Sequence, residues 1–321
     1  MSDQSGDNIA IACQGGGSHT AFTAGVLSRL LPAIDRSDDT LVGLSGTSGG
    51  AFSAVTGWYG VLADGESAPD LLEALWSDIT ASSPVERATN NWMVWGTAFE
   101  SMGVPTPAVS PYQHGLSELG KQQLRDTLEA HVDFDAVPEL ATDGTPELVV
   151  GTVDITAGEF DTFTNESVTV ESVLASAAVP ELFEAVEIDG DYHWDGLFSQ
   201  NPPIRDLFHV PVGRKPDELW VVQINPQTVD GEPQTRREII DRRNELAGNL
   251  SLNQELRFTE QMNELLAEGH LPGDEYRHTE IRRIQLNGDF AYASKLDRSP
   301  SFIDELLEQG RERAEAFLAE R

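Results

Sequence analysis

The 321 residues carry 39% hydrophobic and 23% charged side chains. That balance excludes a wholly disordered chain and leaves ample length for a large core. Acids outnumber basic residues 54 to 21, for a formal charge of −33, and a field of that sign excludes non-specific binding to nucleic acid phosphates.

In chain order, the opening MSDQSGDNIA has neither the basic stretch nor the apolar stretch of a signal peptide. No later run nears the ~18 apolar residues that a membrane span needs, so a cytoplasmic protein is expected. Residues 8–13 (NIAIAC) predict a buried strand ending at Gln14 and the glycines Gly15, Gly16 and Gly17. Cys13, the single cysteine, can form no intrachain disulfide and no zinc cluster. Its strand-like neighbours assign it to the interior rather than to nucleophilic chemistry. Ala21, Phe22, Val26, Leu27, Leu30 and Leu31 recur at helical spacing over residues 18–31. TLVGLSG (40–46) predicts a second strand and GAFSAVTGWYGVLA (50–63) a second helix. Strand, glycine turn, helix, twice over, predicts an α/β layer fold with parallel strands.

A further helix is predicted over 68–79. Residues 83–116 change character: their periodicity is weak, prolines recur, and Trp92, Met93, Trp95, Phe99 and Met102 cluster. This stretch is read as an insertion, either a lid or interfacial surface over a pocket or a loop packed on the core. An amphipathic helix follows over 117–132, then two strands within 146–164 joined at Ala157–Gly158. Residues 185–196 predict a hairpin turning at Asp189–Gly190, and 218–226 another buried strand. Residues 235–269 are helical with a break near Gly248, and a last strand (280–286) and helix (300–320) close the chain. No repeat or linker interrupts residues 1–321, so one catalytic domain is expected, with 235–321 as a helical extension carrying one strand.

The chemistry gathers at Gly46-Thr47-Ser48-Gly49-Gly50, a G-x-S-x-G sequence between a predicted strand and a predicted helix. A serine there sits on a sharp elbow, and side chains two positions either side would strike neighbouring backbone. The helix start favours negative charge at the serine oxygen. Ser45, inside the strand end, lacks the flanking glycines. A serine nucleophile needs an oxyanion hole, and backbone N–H groups of Gly15, Gly16 and Gly17 would supply it from the neighbouring strand. Two rival uses of those glycines fail. Thr20 stands where a dinucleotide fingerprint wants glycine, and no lysine precedes Lys121 for a phosphate-binding loop. For the base, Asp195 follows the predicted hairpin, and it reads either as a turn residue or as a partly buried carboxylate of raised pKa. His193, two residues earlier and on the same strand face, offers a histidine triad instead, and His19, His114 and His209 are unplaced.

GGGSHTAFTAGVL (15–27), GTSGG (46–50), ASAAVPELF (175–183) and DGLFSQNPP from Asp195, in this order and spacing, resemble the patatin-like phospholipase family over about residues 8–225. The resemblance implies a three-layer α/β/α fold with a central, mostly parallel sheet and a nucleophile elbow. It implies a Ser–Asp dyad of Ser48 and Asp195, an oxyanion hole at Gly15, Gly16 and Gly17, and neither metal nor cofactor. His19 and Thr20 stand where the family often has Arg and Gly, and Leu197 where a small residue is usual. His19 and His193 are thus possible accessory groups. Pro180 and Phe183 are assigned a packing role.

The family resemblance implies a lipid acyl hydrolase of phospholipase type, or an intracellular depolymerase of polyhydroxyalkanoate granules. The dispersed acids and scarce lysine resemble halophile proteins, whose carboxylates keep the surface hydrated. In a haloarchaeon, ether-linked membrane lipids would leave few acyl esters to cut, which favours a storage polyester. Trp92, Trp95 and Phe99 would dock on such a lipid or granule surface. A protein that binds lipid or granule without catalysis is the reading from another class.

Overall fold

The chain runs β1 (Asn8–Cys13), α1 (Ala21–Asp35), β2 (Thr40–Gly46), α2 (Gly49–Leu62), α3 (Ala68–Ile79), α4 (Pro84–Ser101), α5 (Leu116–His131) and α6 (Val137–Leu140). It continues β3 (Glu147–Asp154), β4 (Glu159–Thr164), α7 (Val170–Ser176), β5 (Val186–Ile188), β6 (Asp191–Asp195), β7 (Glu218–Gln223), α8 (Arg236–Ala267), β8 (Glu280–Gln285) and α9 (Pro300–Glu320), with short 3₁₀ turns between. The computed structural model describes residues 6–101, 110–113, 115–180, 182–288 and 290–321, with Val85, Trp92, Glu100, Ser101, Leu116 and Phe198 described by backbone alone. Met102 and His114 lie outside the described residues.

Alternation along β1 decides the layering. Ile9, Ile11 and Cys13 join the larger core, whereas Ala10 and Ala12 join a smaller one on the opposite face. A strand buried on both faces needs helices on both sides, and parallel neighbours supply them through their crossovers. β1 pairs in parallel with β2 and with β7, β2 with β3, and β7 with β8. The antiparallel β4, β5 and β6 complete an eight-stranded sheet, ordered β5-β6-β3-β2-β1-β7-β8 with β4 on β3. α1 packs against α2, α3 and α9 over the larger core. Leu252 and Leu256 of α8 cover the smaller one. This is the expected α/β fold with a central, mostly parallel sheet between helices.

The ladder of β3 places the site. β4 pairs along the whole of Val149–Asp154, so β2 (at Glu147–Val150) and β6 (at Thr152–Asp154) must share the opposite edge. β6 therefore takes up the edge where β2 leaves it. Gly46 is opposite Val150, and Asp195 is opposite Thr152 two residues on.

Two expectations give way. Residues 84–101, weakly periodic in sequence, form the helix α4. Its start is set locally: Ser83 Oγ accepts the Glu86 N–H at 3.2 Å, Glu86 Oε2 accepts the Ser83 N–H at 2.8 Å, and Pro84 opens the first turn. α8 runs unbroken through Gly248. There glycine serves close approach rather than a break, because a Cβ would lie 2.6 Å from Asn225 Nδ2 and 3.1 Å from Asn201 Nδ2.

Candidate active site

β2 hands over to α2 at Ser48, whose backbone (φ 56°, ψ −133°) is in a region that side chains other than glycine rarely adopt. Its neighbours explain how the elbow closes. A Cβ on Gly46 would lie 2.5 Å from the Gly50 carbonyl oxygen, and one on Gly50 2.4 Å from that of Cys13. Side-chain hydrogen bonds hold the turn from below. The Ser48 N–H donates to Ser176 Oγ at 2.9 Å, and Ser176 donates onward to the Gly151 carbonyl at 2.7 Å. Thr47 Oγ1 donates to the Gln200 carbonyl at 2.7 Å. These bonds tie the end of α7, the middle of β3 and the loop after β6 to one residue pair.

Asp195, at the end of β6, is 1% exposed. Its carboxylate accepts the Leu197 N–H at 2.8 Å and lies close enough to the Ser48 hydroxyl for that group to favour its ionised form. Burial pushes Asp195 up to about 7, partly offset by the Leu197 N–H, the Ser48 hydroxyl and the Lys295 ammonium. Gly196 makes the approach possible, since a Cβ there would meet the Gly151 carbonyl oxygen at 2.5 Å. A buried carboxylate of this basicity beside a serine at a helix start has the chemical character of a general base.

The glycine turn lies against Ser48: a Cβ on Gly15 would sit 2.9 Å from Ser48 Cβ. The Gly15 N–H is already engaged, donating to Asn201 Oδ1 at 2.6 Å. The N–H groups of Gly16 and Gly17 have no hydrogen-bond partner among the described residues. They are the two donors of the glycine turn left uncommitted.

The two histidines lie elsewhere. His19 is buried behind the glycine turn, with Nε2 2.8 Å from Ser294 Oγ and its ring against Phe290 and Phe302. Burial, helped by Lys295, pushes it down to about 3. His193 faces β3 and β4, with Nδ1 3.3 Å from Thr152 Oγ1 and its ring edge-on to Phe163. His209 is exposed and pairs with Asp206 at 3.2 Å. Cys13 is fully buried, and desolvation pushes its thiol up, away from nucleophilic chemistry.

Sequence reading passed over Ser176, Asn201 and Lys295. The first two stand inside the quoted stretches ASAAVPELF and DGLFSQNPP; a small polar residue in a mostly apolar run was the available signal for Ser176, and nothing local singles out Asn201 from its polar neighbours. Lys295 comes from the 3₁₀ turn Tyr292–Leu296, and nothing local marks it. Trp95 and Phe99 of α4 are exposed, with ring centroids 5.9 Å apart. Among the described residues no helix is long and apolar enough to cross a membrane.

Residues 11–208 match the family described as patatin-like phospholipase. Among solved structures, the chain is similar to VipD from Legionella pneumophila, at 13% identity and a TM-score of 0.45, covering 98% of this chain and 67% of that one. It is also similar to the type III effector protein ExoU, at 17% identity and a TM-score of 0.39, covering 97% of this chain and 53% of that one. A further likeness is to the heterodimeric ExoU–SpcU complex of Pseudomonas aeruginosa, at 13% identity and a TM-score of 0.36, over 98% of this chain and 51% of that one. The chain thus spans about two thirds of the first structure and about half of the other two. No curated protein matches it.

Proposed function

The chain belongs to the patatin-like phospholipase family, and from that premise we propose that it is a serine hydrolase of water-insoluble carboxylic esters of the acyl-lipid type, working through Ser48 and Asp195. The observation that carries this reading is the buried Asp195 brought, along the β3 edge that β2 leaves, next to the strained Ser48 elbow. In the first half-reaction Ser48 Oγ attacks the ester carbonyl carbon as its proton passes to Asp195. The carbonyl oxygen gains negative charge against the Gly16 and Gly17 N–H groups. The tetrahedral species collapses, Asp195 returns the proton to the leaving alkoxide, and the acyl group stays on Ser48. Water then attacks the acyl-enzyme with Asp195 as base, which releases the acid and restores the serine.

The exposed Trp95 and Phe99 support an insoluble substrate phase, because apolar rings gain by leaving water at such a surface. A second reading, a depolymerase of storage polyester granules, is supported by the charge of −33, which opposes docking on anionic phospholipid. The test is hydrolysis of a p-nitrophenyl ester series at high salt by the wild type, Ser48→Ala, Asp195→Asn and His193→Ala. The reading expects loss in the first two variants and retention in the third. An active wild type whose Ser48→Ala variant keeps that activity sinks it. Parallel assays on phospholipid vesicles and native polyester granules decide between the two substrate phases.

A further inference from the structure

Gln200 and Asn201 follow Asp195 in the loop after β6, and each grips a different half of the site. The Gln200 carbonyl accepts the hydroxyl of Thr47, the neighbour of Ser48, at 2.7 Å. Asn201, wholly buried, reaches the glycine turn instead. Its Oδ1 accepts the Gly15 N–H at 2.6 Å, and its Nδ2 donates to the Gly15 carbonyl oxygen at 3.5 Å, the longer and weaker of the two bonds. The next two glycines are backed by packing. A Cβ on Gly16 would meet Ile224 Cγ2 at 2.6 Å, and one on Gly17 would meet the Lys295 carbonyl oxygen at 2.3 Å. Gln14, immediately before the turn, is fixed in the same direction, its Oε1 accepting the Ile224 and Asn225 N–H groups at 2.8 and 2.9 Å.

The Gly15 carbonyl and the Gly16 N–H belong to one trans peptide unit, so they point in opposite directions. Holding the carbonyl on one side directs the N–H to the other. Glycine at both positions gives the chain little preference of its own for either orientation of that unit, so a side chain has to set it. We propose that Asn201 is a positioning residue of the esterase site: by holding both polar groups of Gly15 it fixes the Gly15–Gly16 peptide so that the Gly16 N–H meets the ester oxygen as it gains charge. The inference rests on the Ser48 reading above. It accounts for an amide rather than a carboxylate at position 201. A carboxylate could accept the Gly15 N–H, yet it would turn negative charge and no donor toward the Gly15 carbonyl oxygen. It also accounts for Gly15 itself, where a Cβ would press on Ser48 Cβ at 2.9 Å and on Asn201 Oδ1 at 3.1 Å.

The experiment compares the binding of a short-chain trifluoromethyl ketone with that of its methyl ketone analogue. Ser48 Oγ adds to the carbon of the activated ketone, its proton passes to Asp195, and the carbonyl oxygen becomes an oxyanion. The methyl ketone binds largely without that addition. Asn201→Leu keeps the side-chain shape and removes both hydrogen bonds. Its affinity for the trifluoromethyl ketone is expected to fall by about tenfold or more, and kcat on a soluble ester with it. KM and the methyl ketone affinity are expected to stay near the wild type. A folded Asn201→Leu that keeps the wild-type ratio of the two affinities overturns the proposal, whether or not both have fallen. Asn201→Ser, too short to hold both groups, gives the same readout if Asn201→Leu does not fold. Ser48→Ala is measured alongside. If it prefers the trifluoromethyl ketone as strongly as the wild type does, the Ser48 reading itself fails. If it loses that preference while Asn201→Leu keeps it, only the role given to Asn201 fails.

Discussion

Asp195 lies two ladder positions beyond Gly46 on the same edge of β3, one opposite Thr152 and the other opposite Val150. β2 must leave that edge to make the elbow, and β6 enters the space it vacates. The two residues proposed to do chemistry are therefore brought together by a strand exchange. Ser48 comes from the strand that departs and Asp195 from the strand that arrives.

The pH dependence of hydrolysis follows from the Asp195 proton. Its carboxyl sits at about 7, and only the ionised form can accept the Ser48 proton. kcat/KM on a neutral ester is expected to rise through that value and to fall about tenfold per pH unit below it. A profile flat down to the ordinary aspartate range would remove Asp195 as the base.

Asp195→Asn should cost activity and add stability. Burial holds the folded-state value at about 7, above the ordinary 3.8. Stability from this group is thus fully present below the unfolded value and is lost as pH rises through about 7. The neutral amide avoids that loss, so the variant is expected to be more stable at alkaline pH by an amount on the order of a few kcal/mol. Part of the gain is offset because Lys295 loses its counter-charge. Denaturant unfolding at high and low pH checks this: the advantage should vanish in acid.

Ser176→Ala removes the acceptor of the Ser48 N–H and the donor to the Gly151 carbonyl. Both groups are buried, so a loss of about 1–3 kcal/mol is expected, together with a fall in kcat as the elbow loosens. Unchanged unfolding and unchanged kcat would show that the elbow closes without this bond.

Gly50→Ala places a methyl 2.4 Å from the Cys13 carbonyl oxygen and 2.8 Å from that of Gln14. Both are backbone atoms that cannot swing aside. A stability loss of about 1–3 kcal/mol is expected, with inactivation. Thermal unfolding and single-turnover acylation measure the two effects.

Replacing Trp95 and Phe99 by Ala should separate surface docking from chemistry. Each ring that enters an apolar phase contributes about 1.5–3 kcal/mol, so binding to emulsified substrate is expected to weaken by roughly tenfold or more per ring. Turnover of a soluble short-chain ester should be unchanged. Equal losses on both substrates would make these rings part of the fold rather than of a docking surface.

Local chemistry made much of this molecule legible from its residues. Strands buried on both faces, amphipathic helices at 68–79 and 300–320, the Asp189–Gly190 turn and the glycine-flanked Ser48 each carry their signal within a few neighbours. The Ser83–Glu86 cap was equally local, and it marks the start of α4. Tertiary packing decided the rest. Gly248 reads as a helix break, and it proves to be the point where α8 passes over Asn225 and Asn201. The Gly15 N–H reads as an oxyanion donor, and Asn201, 186 residues away in the chain, engages it. No local signal singles out Lys295, yet its turn lies against Gly17. Periodicity and turn propensity act through bonds and contacts a few residues long, so a sequence displays them openly. A buried charge or a committed N–H depends on which distant segments the sheet brings together, and that is set only when the strands pair.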